Sequence, residues 1–493
     1  MAVARFYVGD VFEQLAKIPD ASIDMVMTSP PFLGLREYLP GDHPLKPFEI
    51  GLEATPADFI DTMLELVAVL RSKLAPHGSL VIELGDTYSE SGGAGGDYYN
   101  ADGWRADQPK PRGSSRLQPR TREGRPRFDR PGHVHRTDQA SAPMPVGNGG
   151  AGWPLSKSKA LLPELLRIAL AYGINPLSGQ PSPAGLWRIR NVITWCRTNP
   201  PVGALGDKFR NATSDMVVAC TSDDRWWDEV TIRVPASQNT NPRVSKNATK
   251  APVSGKTSAP ERGGNWATLN NTPVNEQPTT APPLDFWVLN AAGYAGAHFA
   301  VYPPELCVTP IQAMCPQWVC SDCGEPRRPI VETMNSVGTA TARGSWINGS
   351  ALGSRSRDFL DQNAPGIPEA SVKRIIGHTH CACHTENGCR PTVFENRRVP
   401  MLDENDQPML NSKNQPRMKR ERVVVDAGWC KGHETNLHDH HRRGVVLDPF
   451  GGSGTTGLVA TGHGRDAVLI DIDERNVALA RERVGPLFFE LVE

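Results

Sequence analysis

The sequence predicts an α/β protein built on a mostly parallel sheet, and three observations predict it. Short β-rich runs alternate with helical patterns at both ends of the 493 residues. A strand, a glycine-rich turn and a helix start follow one another from Val446 to Thr456. Adding the 46 Gly to the 39% of apolar and tyrosine residues and removing the 8 Tyr gives roughly 46%, inside the globular range of about 45–50%, which excludes wholesale disorder. The length sets a prior of two or three domains.

In chain order, Arg5–Val8 and Ile23–Met27 read as strands, each followed by a polar or Gly/Pro break. Thr55-Pro56 opens a helix, Thr as N-cap and Pro at the first helical position, with Phe59, Met63, Leu66, Val67 and Leu70 on one face. Gly78 is expected to stop it, and Ser79–Leu84 to be a third strand. A helix near Lys157–Ala171, strands near Arg188–Cys196 and Asp215–Thr221, and an ordered segment from Leu284 follow. The end of the chain reads as strand Gly444–Asp448, helix Gly454–Gly462, strand Ala467–Ile470 and helix Asp473–Val484. No internal repeat is found.

Two stretches break this pattern. Residues 91–150 hold ten Lys/Arg against six Asp/Glu among Gly, Pro and Ser, and read as a basic loop or disordered insert. Residues 237–283 are rich in Asn, Thr, Pro and Ser. They account for much of an excess of 90 Gly and Pro residues, and the formal charge of −1 points to no partner unless charge is clustered locally. The arginines from Arg105 to Arg136 are such a cluster, suited to phosphate contact or simply to a solvated linker. No apolar run approaches the roughly 18 residues of a membrane span, so a soluble, cytoplasmic protein is expected.

Two motifs carry chemistry. Asp448-Pro449-Phe450-Gly451-Gly452-Ser453-Gly454-Thr455-Thr456 is a glycine-rich turn opening a helix, where backbone N–H groups can approach a nucleotide-like ligand. It lacks the Lys of a P-loop, and the next strand ends at Asp471, an acid placed to accept from ribose hydroxyls, so it fits a nucleoside with no phosphate to neutralise. Thr28-Ser29-Pro30-Pro31-Phe32 follows a strand. The two prolines fix the backbone and remove two donors, so carbonyls of Ser29 and Pro30 remain as acceptors beside the apolar face of Phe32, which suits a planar amine.

Together and in this order, the motifs resemble the β class of S-adenosylmethionine-dependent DNA amino-methyltransferases, phage or bacterial. Further segments are similar: Gly9-Asp10 with Pro19–Asp24, Glu83-Leu84-Gly85-Asp86-Thr87-Tyr88, Arg190–Trp195 with Asn199-Pro200, and His298–Leu306. The resemblance spans residues 5 to about 484 and leaves the polar stretches uncovered. It implies a Rossmann-like class I methyltransferase sheet of about seven strands and S-adenosylmethionine as methyl donor. It also implies a catalytic Ser29-Pro30-Pro31-Phe32 and a cofactor site of Asp10, Thr28, Glu305, Asp448 to Thr456, and Asp471. Asp10 stands at the adenine position and Glu305 at the methionine end. The implied partner is double-stranded DNA, with no membrane, and a cognate restriction endonuclease and the oligomeric state are left open.

In that chemistry the enzyme aligns a poorly nucleophilic exocyclic amine with a sulfonium methyl, and hydrogen bonds to Ser29 and Pro30 favour the geometry that frees the amine lone pair. The base must be flipped out to be reached, and Phe32 would stack on it. Cytosine-C5 methylation needs a Cys after a Pro, and no Pro-Cys dipeptide occurs. Serine at the first motif position is more typical of N4-cytosine enzymes and favours that base over N6-adenine. An RNA amino-methyltransferase and a catalytically silent zinc-containing DNA-binding protein are the competing readings; the intact motifs speak against the second.

Eight of the ten cysteines fall between Cys307 and Cys430, and seven of the 13 histidines between His378 and His441. In a cytosolic-looking chain that clustering reads as metal binding rather than disulfides. Cys320-x-x-Cys323-Gly324 is a zinc knuckle. The second pair is Cys381 and Cys383 or Cys430 and His433, and the resemblance favours Cys430 and His433. The H-x-E and P-C-x-x-C pattern of zinc deaminases is absent, so the zinc is read as structural.

The expected organisation is a methyltransferase domain carried by 1–90, 153–236 and 444–493. A basic insert at 91–152, a polar insert at 237–297 that is the candidate target-recognition region, a cofactor-flanking segment at 298–314 and a zinc-binding insert at 315–443 interrupt it. The expected working place is the cytoplasm, on nucleoid DNA.

Overall fold

The computed structural model describes residues 1–89, 95–96, 151–200, 208–235, 280–290, 302–335, 371–383, 391–400, 410, 415–416, 418–426 and 440–492. The arginines from Arg105 to Arg136, nearly all of the two polar stretches, His298–Val301, Cys430 and His433 lie outside these residues. The described chain forms two compact units.

The first unit holds a nine-stranded sheet: β1 (Ala4–Val8), β2 (Ile23–Thr28), β3 (Leu74–Leu84), β4 (Arg188–Cys196), β5 (Thr213–Cys220), β6 (Phe286–Val288), β7 (Val445–Asp448), β8 (Asp466–Asp471) and β9 (Phe489–Val492). The order across it is β6-β4-β5-β3-β2-β7-β8-β1-β9. Only β5 runs antiparallel to its neighbours. This is a Rossmann-like sheet. The seven expected strands are present, and β6 and β9 add an edge at each side; at three and four residues they are too short for a periodicity to announce them.

Strand β2 is buried at every position and central in the sheet, as its unbroken Ile-Asp-Met-Val-Met-Thr run requires. Its start is pinned by Asp24, fully buried, which accepts from Arg442 Nη1 at 2.6 Å and Val445 N at 2.7 Å and pairs with His77 Nε2 at 2.9 Å. These bonds fix β2 beside β7. From β7 the chain builds outward through β8, and from β2 through β3 in the other direction, so the carboxyl ends of β2 and β7 flank the crevice where such sheets bind ligands.

Among the described residues six helices accompany the sheet: α1 (Val11–Ala16), α2 (Pro56–Lys73), α3 (Leu162–Tyr172), α4 (Glu305–Met314), α5 (Thr455–Gly462) and α6 (Asn476–Val484). Thr55 caps α2 as expected: its Oγ1 accepts from Asp58 N at 3.2 Å and donates to the Asp58 carboxylate at 2.8 Å. Phe59, Met63, Leu66, Val67 and Leu70 are fully buried, each contributing about 2 kcal/mol of apolar transfer. Gly78 does not end this helix. α2 stops at Lys73 and β3 starts at Leu74, with Ala75–Gly78 bulging because Ile23 pairs with Leu74 but Met25 with Ser79. Gly78 serves the bulge: a Cβ there would lie 2.8 Å from Leu74 Cδ2 and 3.2 Å from the Asp24 carbonyl oxygen.

α1 and α4 are not legible in the sequence. The first is six residues long, capped by Asp10; the second contains Pro310, which ordinarily argues for a helix end. No described helix is long and apolar enough to cross a membrane.

In the second unit, Pro329–Asn335 pairs antiparallel with Ser371–His378, and Val393–Pro400 with Met418–Asp426. Each ribbon is bulged near its start, at Ile330/Val331 and Val393/Phe394. The ends of the first ribbon are closed by Thr379 N donating to the Arg328 carbonyl at 2.8 Å.

Candidate active site

Ser29 follows the last residue of β2, and its Oγ donates to Glu83 Oε2 at 2.6 Å. Glu83 is the penultimate residue of β3, brought level with the end of β2 by the pairing of Thr28 with Ile82. It is 3% exposed, and burial pushes its carboxyl above the usual range against the pull of the Ser29 hydrogen bond and the nearby Arg197 cation. Because the Ser29 proton is engaged by Glu83, the lone pairs of Oγ are left to accept from an N–H donor.

Pro30 is buried, and Pro31 and Phe32 are half-buried. The Phe32 ring lies on the backbone of Gly85, where a Cβ would come 2.4 Å from Phe32 Cε2. Only glycine at 85 admits the ring. The loop beyond is closed by Gly34 N donating to the Gly51 carbonyl at 2.8 Å and Leu35 N to the Phe32 carbonyl at 3.3 Å.

On the β7 side, Asp448 accepts four bonds from its own chain. Thr28 Oγ1 donates at 2.7 Å, Thr456 Oγ1 at 2.6 Å, Tyr302 OH at 3.0 Å and Phe450 N at 3.1 Å. The Tyr302 and Thr456 hydroxyls also touch each other. Burial raises the Asp448 carboxyl, and burial together with the Asp448 charge raises the Tyr302 phenol and the Cys307 thiol. Thr28, Asp448 and Thr456 therefore act as a strap between the two motifs, holding β2 and the glycine turn in register.

Beyond Asp448, Gly451 N donates to the Ile470 carbonyl at 2.7 Å and Gly454 N to that of Gly451 at 2.8 Å. Gly454 caps α5 with φ +79°, and a Cβ there would stand 3.0 Å from that of Ala480. Ser453 accepts from Arg483 Nη1 at 2.8 Å. Pro449, Thr455 and Ser453 are buried; Gly452 and Phe450 are partly open. At the end of β8, Asp471 Oδ2 accepts from Gly452 N at 2.8 Å and Oδ1 from Asp473 N at 2.8 Å and Asn476 Nδ2 at 3.0 Å. Burial nevertheless pushes its carboxyl up to about 6.

The sheet thus gathers Thr28–Phe32, Asp448–Thr456 and Asp471 at one set of strand ends. Asp10 sits beside them, since Val8 pairs with Asp471 and Gly9 N donates to the Asp471 carbonyl at 2.9 Å. Its Oδ1 caps α1, accepting from Phe12 N at 3.0 Å and Glu13 N at 3.2 Å. Glu305 opens α4 with an exposed side chain. The cradle carries no lysine and presents an acceptor carboxylate at its rim, a donor and acceptor set that fits an uncharged nucleoside moiety.

Glu83, Ser214 and Tyr302 escaped the sequence as site residues. A signal existed for Glu83: an acid inside the apolar run Ser79–Leu84 is rarely buried without a task.

Cys320 and Cys323 form a tight turn, with Gly324 N donating to the Cys320 carbonyl at 3.0 Å and Cys320 N to that of Glu325 at 2.9 Å. Two thiols presented by such a turn have the chemistry of half a structural zinc site. None of the described cysteines is in a disulfide.

A family model for DNA methylases matches residues 437–482, the glycine turn and its flanks. The type II methyltransferase M.SmaI of Serratia marcescens is 30% identical over 307 residues, covering 62% of this chain and 74% of that protein. M.SfiI of Streptomyces fimbriatus is 26% identical over 264 residues, covering 53% of this chain, which spans 46% of that longer relative. The solved PvuII DNA methyltransferase (cytosine-N4-specific) aligns at 12% identity and TM-score 0.39, over 98% of this chain and 87% of its own.

Proposed function

The chain belongs to the DNA methylases of the type II methyltransferase group, and from that premise we propose that it methylates an exocyclic amine of a flipped base in double-stranded DNA, with S-adenosylmethionine as donor and cytosine N4 as acceptor. The observation that carries the proposal is the Ser29 Oγ to Glu83 bond of 2.6 Å at the mouth of the crevice.

When bound, S-adenosylmethionine supplies a methyl group on a positively charged sulfur. The residues that would hold it are Asp471 toward the ribose hydroxyls, the Gly451–Gly454 turn along its length, and Asp10 and Glu305 at its two ends. Ser29 Oγ and the Pro30 carbonyl orient the amine by accepting its two N–H groups, and Phe32 supports the face of the base. Methylation obliges the amine to give up one proton. Ser29 Oγ receives it while passing its own to Glu83 Oε2, whose raised affinity for a proton suits that role. The strap of Thr28, Asp448 and Thr456 keeps acceptor and donor sites at a fixed separation.

Serine, a hydroxyl acceptor with its proton turned toward Glu83, supports the N4-cytosine reading. Mass spectrometry of nucleosides from DNA incubated with enzyme and cofactor tests it. N4-methylcytosine is the expected product; N6-methyladenine alone would reverse the choice of base, and methylation confined to RNA would reverse the choice of nucleic acid.

We also propose one structural zinc on the Cys320 and Cys323 knuckle, completed by Cys381 and Cys383 or by Cys430 and His433. Elemental analysis of the purified protein is expected to give about one equivalent, lost in Cys320→Ser; less than half an equivalent in the unaltered protein would remove the assignment. The working place we propose is the cytoplasm, on DNA, opposite a cognate restriction endonuclease whose cutting the methyl group blocks.

A further inference from the structure

Phe209 is 98% exposed, more than any other large apolar side chain among the described residues, and it stands between Lys208 and Arg210. Leaving a phenyl ring in water forgoes a burial that the fold could have used. The chain on both sides of it is tethered, although the ring itself is open. Lys208 Nζ lies 3.7 Å over the Tyr88 ring, the Tyr88 hydroxyl donates to Asn211 Oδ1 at 3.3 Å, and Arg197 N donates to the Ala212 carbonyl at 2.7 Å.

Its position relates it to the reacting centre. β5 is the antiparallel strand, so its first residues lie at the carboxyl ends of the parallel strands. There Ser214 neighbours Glu83, the partner of Ser29. Phe209 is five residues upstream, a reach of at most about 18 Å of extended chain, comparable to the width of a duplex. An exposed apolar ring flanked by two cations matches a gap in a base stack bordered by phosphates.

We propose that Phe209 enters the duplex where the target base has left it, stacking on the exposed neighbours, with Lys208 and Arg210 lying against the flanking phosphates. The inference rests on the methyltransferase reading above. Extruding a base costs stacking and pairing energy, and a ring that fills the vacancy lowers that cost.

The test compares the full-length protein with Phe209→Ala and Phe209→Trp on two oligonucleotides. One is a duplex carrying a sequence that the unaltered enzyme methylates; the other is the same duplex with an abasic position opposite the target base. Phe209→Ala is expected to lose about 10- to 100-fold in methylation of the paired duplex and to stay within about twofold on the abasic one. Phe209→Trp is expected to retain activity on both. Equal activity of Phe209→Ala and the unaltered enzyme on the paired duplex would overturn the inference, as would an equal loss on both substrates. Absence of methylation by the unaltered enzyme on any DNA would instead overturn the reading on which the inference rests.

Discussion

The two sides of the crevice each place a carboxylate at the end of a strand, and they use it in opposite ways. Asp448 is saturated by Thr28, Thr456, Tyr302 and Phe450 N, groups drawn from four separate places in the fold. Glu83 accepts from the Ser29 hydroxyl, at the edge of the open crevice. A buried acid whose acceptors are filled by its own chain is a fastener; one that holds a hydroxyl proton facing substrate is part of the chemistry. Burial raises both carboxyls, so a perturbed pKa does not tell them apart, whereas the identity of their donors does.

The largest expected effect breaks the chemical side. Ser29→Ala removes the acceptor of the amine proton and should lower methyl transfer by about 10²–10⁴-fold, while calorimetric affinity for S-adenosylmethionine stays within about twofold. Unchanged turnover would contradict the role of Ser29. Glu83→Gln should follow with a loss of roughly 10²-fold and a changed pH profile. In the unaltered enzyme, activity falls as pH drops through the raised Glu83 value, because a protonated Glu83 no longer takes the Ser29 proton; the glutamine variant should lack this acid limb. An identical limb in Glu83→Gln would assign it to another group.

Asp448→Asn sharpens the other half of the comparison. An amide in that place turns a donor toward hydroxyls that had an acceptor, leaving buried polar groups badly paired. A loss of about 1–3 kcal/mol in denaturant unfolding is expected, with cofactor affinity falling in parallel. Full stability with selective loss of turnover would instead move Asp448 to the chemical side.

How much of this was legible in the sequence depended on distance along the chain. Ser29-Pro30-Pro31-Phe32 and Asp448–Thr456 are contiguous, so residue type and spacing exposed them. The bond between Ser29 and Glu83 joins residues 54 apart, and that between Thr28 and Asp448 residues 420 apart; both depend on strand register, which composition does not encode. The zinc knuckle shows the same division. Cys320 and Cys323 announce themselves through their spacing, but the downstream pair that would complete a site with them is not encoded by spacing. Residues that meet through a register are found by an acid or thiol out of place in an apolar run, as Glu83 is.

The smallest predicted effect concerns Asp471, where the two uses of a carboxylate meet. It accepts from Gly452 N, Asp473 N and Asn476 like a fastener, yet it fronts the cradle and is the expected acceptor for ribose hydroxyls. Its carboxyl is raised from 3.8 to about 6, so the folded chain keeps this proton at a pH where the unfolded chain has released it. Its contribution to stability is therefore fully present below about pH 4 and is lost as pH rises through 6. Affinity for the cofactor should run the other way, because hydroxyl donors favour the ionised carboxylate: flat above pH 7 and weakening by up to about tenfold per unit below 6. Thermal unfolding and calorimetry of the apo-protein between pH 5 and 8 check both slopes. In Asp471→Asn both contributions should vanish, leaving weaker, pH-independent binding. Were the affinity slope to survive in that variant, Asp471 would be a fastener alone and the ribose acceptor would lie elsewhere in the cradle.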